Sequence, residues 1–291
     1  MMKRWMGLLA ALLALACLGG ALAETYIGQR PPESWADRET LRIRSIDVDR
    51  NDAMLITCGG EAMLVDAATN YYIDRMNQTL DAEGVTALKY LFSTHSDDDH
   101  IGGFGPLIAQ GRYGLGTFLS PNSMSYQDPA GFHQMVMNQV RAKHVDYREV
   151  EDMEVLTLGG ARMEVLRCLK PWGRNARSAC LNIVFGERRI LLTGDADAMA
   201  MEHFVEKYRP DQLQADIMKA PHHGIITIPE TFLAQVQPEF MFVTNNAAGL
   251  DKFRTSMERV APEVALLYSG DGAVIMETDG QDWYVWQEEN W

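Results

Sequence analysis

Cysteine, positive charge and long apolar runs are all scarce in this chain. Only four of its 291 residues are cysteine, and Cys17 lies in an N-terminal apolar stretch, which leaves Cys58, Cys168 and Cys180. Three cysteines cannot all pair within one chain, so a disulfide framework is excluded as the main source of stability. A Cys168–Cys180 bridge is open to an oxidising compartment, but cysteines in strand-like runs read more simply as buried residues. Lysine and arginine number 26 against 40 acidic residues, a formal charge of −14. That balance repels polyanions, so no stable nucleic-acid complex is expected, while a small anionic substrate stays compatible. After the N-terminal stretch, no second run reaches the roughly 20 apolar residues a membrane span needs.

The one apolar run extends from Trp5 to about Leu18, behind Lys3 and Arg4, and closes with Ala21-Leu22-Ala23 ahead of Glu24. This is the layout of a signal peptide over residues 1–23, cleaved after Ala23, and it predicts a secreted or extracytoplasmic protein with no transmembrane domain. Lipid anchoring at Cys17 is disfavoured, because Ala14-Leu15-Ala16 lacks the bulky aliphatic residue expected three positions upstream. Residues 24–40, polar and carrying Pro31-Pro32, read as an extended leader. The remainder, 41–291, reads as one domain.

Within that domain, strand-like runs at Leu41–Val48, Ala53–Thr57 and Ala62–Asp66 form a meander broken by turn residues. A helix near Tyr71–Ala82 and a strand at Leu88–Ser93 follow. The stretch from Pro106 to Asp152, with Gly, Pro and Ser clusters and one amphipathic run from Pro129 to Lys143, reads as an insert over the site. Beyond it, strands and helices alternate to Trp286. Two sheet-rich halves, each with helices, predict an α/β sandwich of two mixed sheets flanked by helices, layered αββα. Such a sandwich brings strand-end loops from both halves to one edge.

The chemistry sits at three predicted strand ends. Thr94-His95-Ser96-Asp97-Asp98-Asp99-His100-Ile101-Gly102-Gly103 packs two imidazoles and three carboxylates into six positions, a donor set suited to zinc, manganese or iron. The glycines permit a tight turn and a close helix start behind the ligands. Leu191-Leu192-Thr193-Gly194-Asp195 is an ordinary strand and turn by itself; in company its carboxylate faces the same edge. Lys219-Ala220-Pro221-His222-His223-Gly224 again ends a strand with imidazole. Adjacent histidines point in different directions, so only one of this pair is expected to bind metal. His133, His144 and His203 show no ligand spacing, and Trp283, Trp286 and Trp291 read as packing residues.

These three motifs, in this order, resemble the metallo-β-lactamase superfamily, and within it the ComEC-type branch, over roughly Ile46 to Trp286. Ile46-Asp47-Val48-Asp49-Arg50-Asn51-Asp52-Ala53 resembles that branch's DVGQGDA, with Asp49-Arg50-Asn51 replacing Gly-Gln-Gly. The superfamily's HxHxDH stands here as HxDxDH, and its PHHGS as Pro221-His222-His223-Gly224 with Ile225 in the serine position. The third metal histidine has no counterpart in Asn175-Ala176-Arg177-Ser178.

The resemblance implies the metallo-β-lactamase fold and one or two divalent ions, zinc or manganese. One ion would take Asp99, His100, Asp195 and His223. The other would take His95, Asp97 and the shared Asp195, with Ser178 or water in place of the missing histidine, and would be weaker and oxygen-rich. His222 is left as a second contact to ligand or substrate. Asp97 or Asp99 would orient a metal-activated water and relay its proton. Lys219, Arg174 and Arg177, neighbours of these ligands in sequence, are candidates to hold an anionic group. The implied activity is hydrolysis of a small or short phosphodiester. Hydrolysis of a lactam, lactone or thioester is the alternative, against which the missing imidazoles count. A non-catalytic metal-binding module is a third reading, against which the surviving ligands count.

Overall fold

The computed structural model describes residues 23–121, 128 and 130–288. Most of the predicted signal peptide and Trp291 therefore lie outside the described residues.

Two mixed sheets stack face to face. The nine-stranded sheet contains β1 (Thr25–Ile27), β2 (Leu41–Ser45), β3 (Met54–Cys58), β4 (Glu61–Val65), β5 (Ala87–Phe92), β6 (Gly114–Pro121) and β7 (Asp146–Val150). The seven-stranded sheet contains β8 (Val155–Leu158), β9 (Ala161–Arg167), β10 (Ala179–Phe185), β11 (Arg188–Leu192), β12 (Ile217–Lys219), β13 (Phe240–Val243) and β14 (Ala265–Tyr268). The chain then returns to the first sheet as β15 (Val274–Thr278) and β16 (Trp283–Gln287). Strand order is β1-β16-β15-β2-β3-β4-β5-β6-β7 in one sheet and β14-β13-β12-β11-β10-β9-β8 in the other.

Strand alternation sorts the side chains into layers. Phe240 and Phe242 point between the sheets, with Ile43, Ile56, Val65 and Leu181, while Met241 and Val243 of the same strand face helices carrying Phe232, Phe253 and Met257. On the outside of the nine-stranded sheet, Leu64, Leu91 and Phe118 meet Met76, Phe104, Leu107 and Val136. The predicted αββα layering is what the structure shows. Cys58, Cys168 and Cys180 are buried and free, so no disulfide contributes. Trp283 and Trp286 are packing residues, as read.

Two sequence expectations fail. The stretch from Pro106 to Asp152 supplies β6 and β7, which extend the sheet from β5 in parallel, and the helix Phe132–Ala142 that buries Val136 and Val140 against it. It is largely part of the sandwich. Gly114, Gly116 and Pro121 hid β6, yet Gly116 is where a Cβ would strike the Lys89 carbonyl oxygen at 2.2 Å, so the neighbouring strand requires glycine there. The leader is also structural: β1 pairs in parallel with β16, and Trp35 is buried edge-on against Tyr284.

Candidate metal centre

Parallel pairing aligns the carboxyl ends of β4 with β5 and of β11, β12 and β13 with one another. Asp66, Thr94-His95, Asp195, His222-His223 and Thr244 follow these ends directly, so residues distant in sequence share one edge of the sandwich. One backbone bond joins the two halves, Ala179 N donating to the Thr94 carbonyl at 2.9 Å, and a second, Asp52 N to the Asp99 carbonyl at 3.0 Å, ties the turn before β3 to the first motif. Gly103 allows the helix after the first motif to press on the backbone, since a Cβ there would meet the Ala67 oxygen at 2.0 Å.

Asp195 is the pivot, almost fully buried, with its two oxygens facing different neighbours. On the Oδ1 side stand His100 Nε2 at 3.2 Å and His223 Nε2 at 3.5 Å. Those two nitrogens are 3.3 Å apart, and Asp99 Oδ2 lies 3.3 Å from His223 Nε2. On the Oδ2 side stand His222 Nε2 at 3.6 Å and His95 Nε2 at 3.8 Å, with Asp97 Oδ2 at 3.7 Å from His95 Nε2. A tetrahedral ion with bonds of about 2.0–2.1 Å has ligand-to-ligand edges of roughly 3.3–3.4 Å. The Oδ1 group matches that edge closely.

The far nitrogens of these rings are held from outside. His100 Nδ1 lies 2.8 Å from Asp66 Oδ2, which also accepts from Thr94 Oγ1 at 2.7 Å. His223 Nδ1 contacts the Thr244 carbonyl at 3.2 Å and Thr244 Oγ1 at 3.1 Å; His95 Nδ1 contacts Thr94 Oγ1 at 3.1 Å. With the outer nitrogen engaged, each ring turns Nε2 to the centre, the arrangement that orients metal-binding imidazoles. His95 Nε2 and Asp195 Oδ1 are buried without a hydrogen-bond partner. Buried polar atoms left unpaired and aimed at a common point fit a divalent cation. His100, Asp195 and His223 belong to a buried cluster of potential ligand atoms that also includes Asp52, but Asp52 lies against the outer Nδ1 atoms of both rings, so Asp99 is the fourth donor on the Nε2 side.

Beneath the centre, the fully buried Asp52 and Lys219 pair at 2.9 Å, with Asp52 also 3.4 Å from His223 Nδ1 and 3.6 Å from His100 Nδ1. Neither Asp52 nor Asp66 was assigned a role from the sequence. Asp52 falls on the aspartate of the stretch compared above with DVGQGDA, which was its available signal; Asp66 is a lone carboxylate closing an apolar strand and offered none.

The electrostatics of these side chains follow from their crowding. Burial alone would lift Asp195, but His100 and His223 hold it well below the usual carboxylate range. Burial likewise opposes protonation of His223, yet Asp195 and Asp52 push its pKa up to about 10; His100 is raised well above its ordinary value against burial by Asp195, Asp52 and Asp66. Asp99 and Asp97 are held low against burial, chiefly by His223 and His95 respectively. Burial instead leads His222 below the ordinary histidine value.

The neighbouring carboxylates thus favour protons on His100 and His223 that a metal must displace, so loading releases protons and tightens as pH rises. Calorimetric titration with manganese in buffers of different ionisation enthalpy measures that release. A slope of zero would show the rings already neutral.

The candidate anion contacts are placed differently from expectation. Lys219 has no exposed surface, and its ammonium donates to the Gly194 and Ala220 carbonyls besides pairing with Asp52. It supports the centre from below and cannot meet a substrate, because a strand-end lysine in a parallel sheet can equally point inward. Ser178 is also fully buried; its Oγ accepts from Asp195 N at 3.3 Å and so positions the carboxylate. Arg174, at the rim, pairs with Asp97 Oδ1 at 2.6 Å. Arg177 is half-buried, and its buried Nε makes no hydrogen bond. His222 and His223 both face Asp195, against the expectation that only one would. They can do so because both adopt left-handed backbone, φ/ψ 48°/50° and 54°/22°.

Residues 46–239 match the family described as the Metallo-beta-lactamase superfamily. Among curated proteins, the chain is 26% identical over 168 residues to ComE operon protein 3 of Bacillus subtilis (strain 168), covering 57% of this chain and 21% of that protein. It is 29% identical over 180 residues to competence protein ComA of Neisseria gonorrhoeae, covering 61% and 23%. The chain thus spans about a fifth to a quarter of the length of the curated relatives it matches. Among solved structures it resembles YhfI of Bacillus subtilis, a metallo-beta-lactamase fold protein, with TM-score 0.57 at 15% identity over 82% of this chain and 100% of that one. CmlA of Streptomyces venezuelae, a diiron beta-hydroxylase, overlaps with TM-score 0.52 at 15% identity over 82% and 54%. At these identities the structural likeness speaks for the fold alone.

Proposed function

The chain belongs to the metallo-β-lactamase superfamily, a family generally of metal-dependent hydrolases, and from that membership we propose that it hydrolyses small phosphodiesters outside the cytoplasm. The observation that carries the substrate class is Arg174. Its guanidinium lies 2.6 Å from Asp97 at the rim, with 38% of its side chain exposed. A cation drawn to Asp97 competes for that carboxylate, which frees the guanidinium to face a substrate anion, and planar guanidinium suits phosphate oxygens in particular.

Divalent ions held around Asp195 would supply Lewis acidity and bring the pKa of a water from 15.7 toward about 7. The protein's own groups do the rest. Asp195 and Ser178 fix the geometry, and Thr94 and Thr244 keep the rings turned inward. Asp99, one-third exposed, borders a cavity of about 390 Å³ lined also by Asp49, Arg50, Asn51, Thr69 and Asp98. Its carboxylate is placed to take a proton from an attacking water that enters there. Three carboxylates around that cavity disfavour a long polyanion, which favours a short phosphodiester over DNA. The names of two curated relatives, Recombination protein 2 of Haemophilus influenzae and competence protein ComA, are compatible with phosphodiester chemistry in general.

Export belongs to the same proposal and rests on the Lys3-to-Ala23 pattern. Among the described residues, no helix is long and apolar enough to cross a membrane. Assay of manganese- or zinc-loaded protein on bis-p-nitrophenyl phosphate, nitrocefin and an acyl lactone tests the substrate class. Phosphodiester turnover should be fastest, and Asp99→Ala should slow it by about 10²–10⁴-fold, the usual worth of a positioned proton acceptor. Faster turnover of nitrocefin or the lactone would replace this reading with the alternative one.

A further inference from the structure

The helices that cover the nine-stranded sheet leave a gap beside the first metal motif. The helix Phe132–Ala142 carries Phe132, Met135, Val136 and Gln139 at spacings of three and four residues, which puts them on one face. Val136 is buried and Met135 is 53% exposed, so this face runs from the core to the surface. Opposite it stands the helix Phe104–Gln110 with Gly105, Pro106 and Ala109. Side chains this short leave space between the helices, and a Cβ placed at Gly105 would meet no atom within 4 Å. The result is a groove of about 250 Å³. Its length follows from the helical rise between Phe132 and Gln139, about 10 Å.

The groove continues the space at the metal centre. Asp98 lines both the groove and the cavity bordered by Asp99, and the consecutive Thr69 and Asn70 line the cavity and the groove respectively. Among the described residues that line the groove, Asp98 alone carries charge, and it stands at the junction. A second anionic group of a substrate would meet that carboxylate and no compensating cation. A docked protein helix, about 10–12 Å across with its side chains, is too large for the space. Pro106, Ala109, Met135 and Val136 form aliphatic walls that suit hydrocarbon, and methionine adapts its shape to an irregular chain.

We propose that this groove binds an alkyl group esterified to the phosphate, so that the preferred substrate is a phosphodiester of an aliphatic alcohol. The proposal rests on the phosphodiester reading above and names the ester group which that reading leaves open. Ala109 and Met135 are the specificity-determining residues, because both border the open space and neither is buried in the core.

The test compares methyl and hexyl 4-nitrophenyl phosphate on the manganese-loaded protein. Both release the same nitrophenolate, so any difference reports the alkyl group. A fully buried methylene tightens binding by about fourfold, so five further methylenes in a half-open groove should raise kcat/KM on the order of 10–100-fold, through KM. Ala109→Leu fills the groove and Met135→Glu charges its wall. Each exchanges one good helix former for another, and circular dichroism checks the fold. Each should cut the hexyl preference below about threefold and leave turnover of the methyl ester within about twofold of the parent. Calorimetric binding of hexyl and methyl phosphate to the same proteins reads the groove without turnover.

Tighter binding of hexyl phosphate by the parent, lost in the variants, with no turnover of either diester, would sustain the groove and remove the proposed hydrolysis. Equal handling of hexyl and methyl compounds by the parent would overturn the proposal, as would a hexyl preference that survives in a folded variant. Thymidine 4-nitrophenyl phosphate favoured over the hexyl ester, with that advantage lost in the variants, would assign the groove to a nucleobase and overturn it as well.

Discussion

Asp195→Asn will strip the centre of its cations and lower phosphodiester hydrolysis by on the order of 10³-fold or more, at least the loss typical of removing one preorganised electrostatic group. The reason is the division of its two oxygens. Oδ1 serves His100 and His223, and Oδ2 serves His95 and His222. An asparagine keeps one acceptor, loses the negative charge, and turns an amide donor toward one pair of rings that need a ligand there. Neither orientation satisfies both sides. The change also removes the neighbouring charge that does most to raise His100 and His223, so the rings shed protons more easily in the metal-free protein and its backbone should stay folded. Elemental analysis beside circular dichroism measures both effects. A variant with native dichroism and a full metal complement would show that the cations bind elsewhere.

Asp52→Ala should have the largest effect on stability, about 3–5 kcal/mol measured by urea unfolding of the metal-free protein, out of a total of about 5–15 kcal/mol. Asp52 and Lys219 are both wholly buried, 2.9 Å apart, and Asp52 is held by charge more than by well-directed hydrogen bonds. Burial would drive its carboxyl toward the neutral acid; Lys219, His100 and His223 overcome this and keep it ionised well below the ordinary range. The sign of the pH dependence follows. Asp52 contributes its full stability above the ordinary carboxylate pKa and loses it as pH falls toward its depressed folded value. Removing Asp52 leaves an ammonium without its counter-charge inside the sandwich. Asp52→Asn combined with Lys219→Met should recover most of the stability, because a neutral pair of similar volume has no buried charge to compensate. It should not restore metal affinity, expected to fall about 10–100-fold for a lost outer contact to ligating imidazoles. A single Asp52→Ala change costing under about 1 kcal/mol would contradict this account of the pair.

The ligands were legible because they are concentrated. His95 to His100 and Pro221 to Gly224 carry several donors in a few positions, each following an apolar run, and the αββα layering follows from alternation that survives in nearly every strand. What escaped depends on contacts across the chain. Asp52 and Asp66 act on imidazoles 34 to 171 positions away in sequence, with nothing local to mark them. Lys219 looked like a surface cation because its sequence neighbours are ligands, whereas burial on β12 commits it to Asp52. His222 depends on a backbone conformation that side-chain type alone does not announce. The stretch from Pro106 to Asp152 was misjudged because glycines that let β5 and β6 approach look, in sequence, like breaks.

The pairing of β1 with β16 carries a consequence for solubility. Without β1, the strand Trp283–Gln287, rich in aromatic residues, would offer a row of unpaired amides and carbonyls to any neighbouring molecule. Three residues, Thr25 to Ile27, occupy its outer side and present in their place a stub too short to template a further strand. The opposite border is β7, where Asp146, Arg148 and Glu149 put charge along the last strand. The widest surface of the sandwich is thereby bounded on both margins by strands that discourage stacking of one molecule onto the next, and the segment first read as a mere leader is one of the two guards.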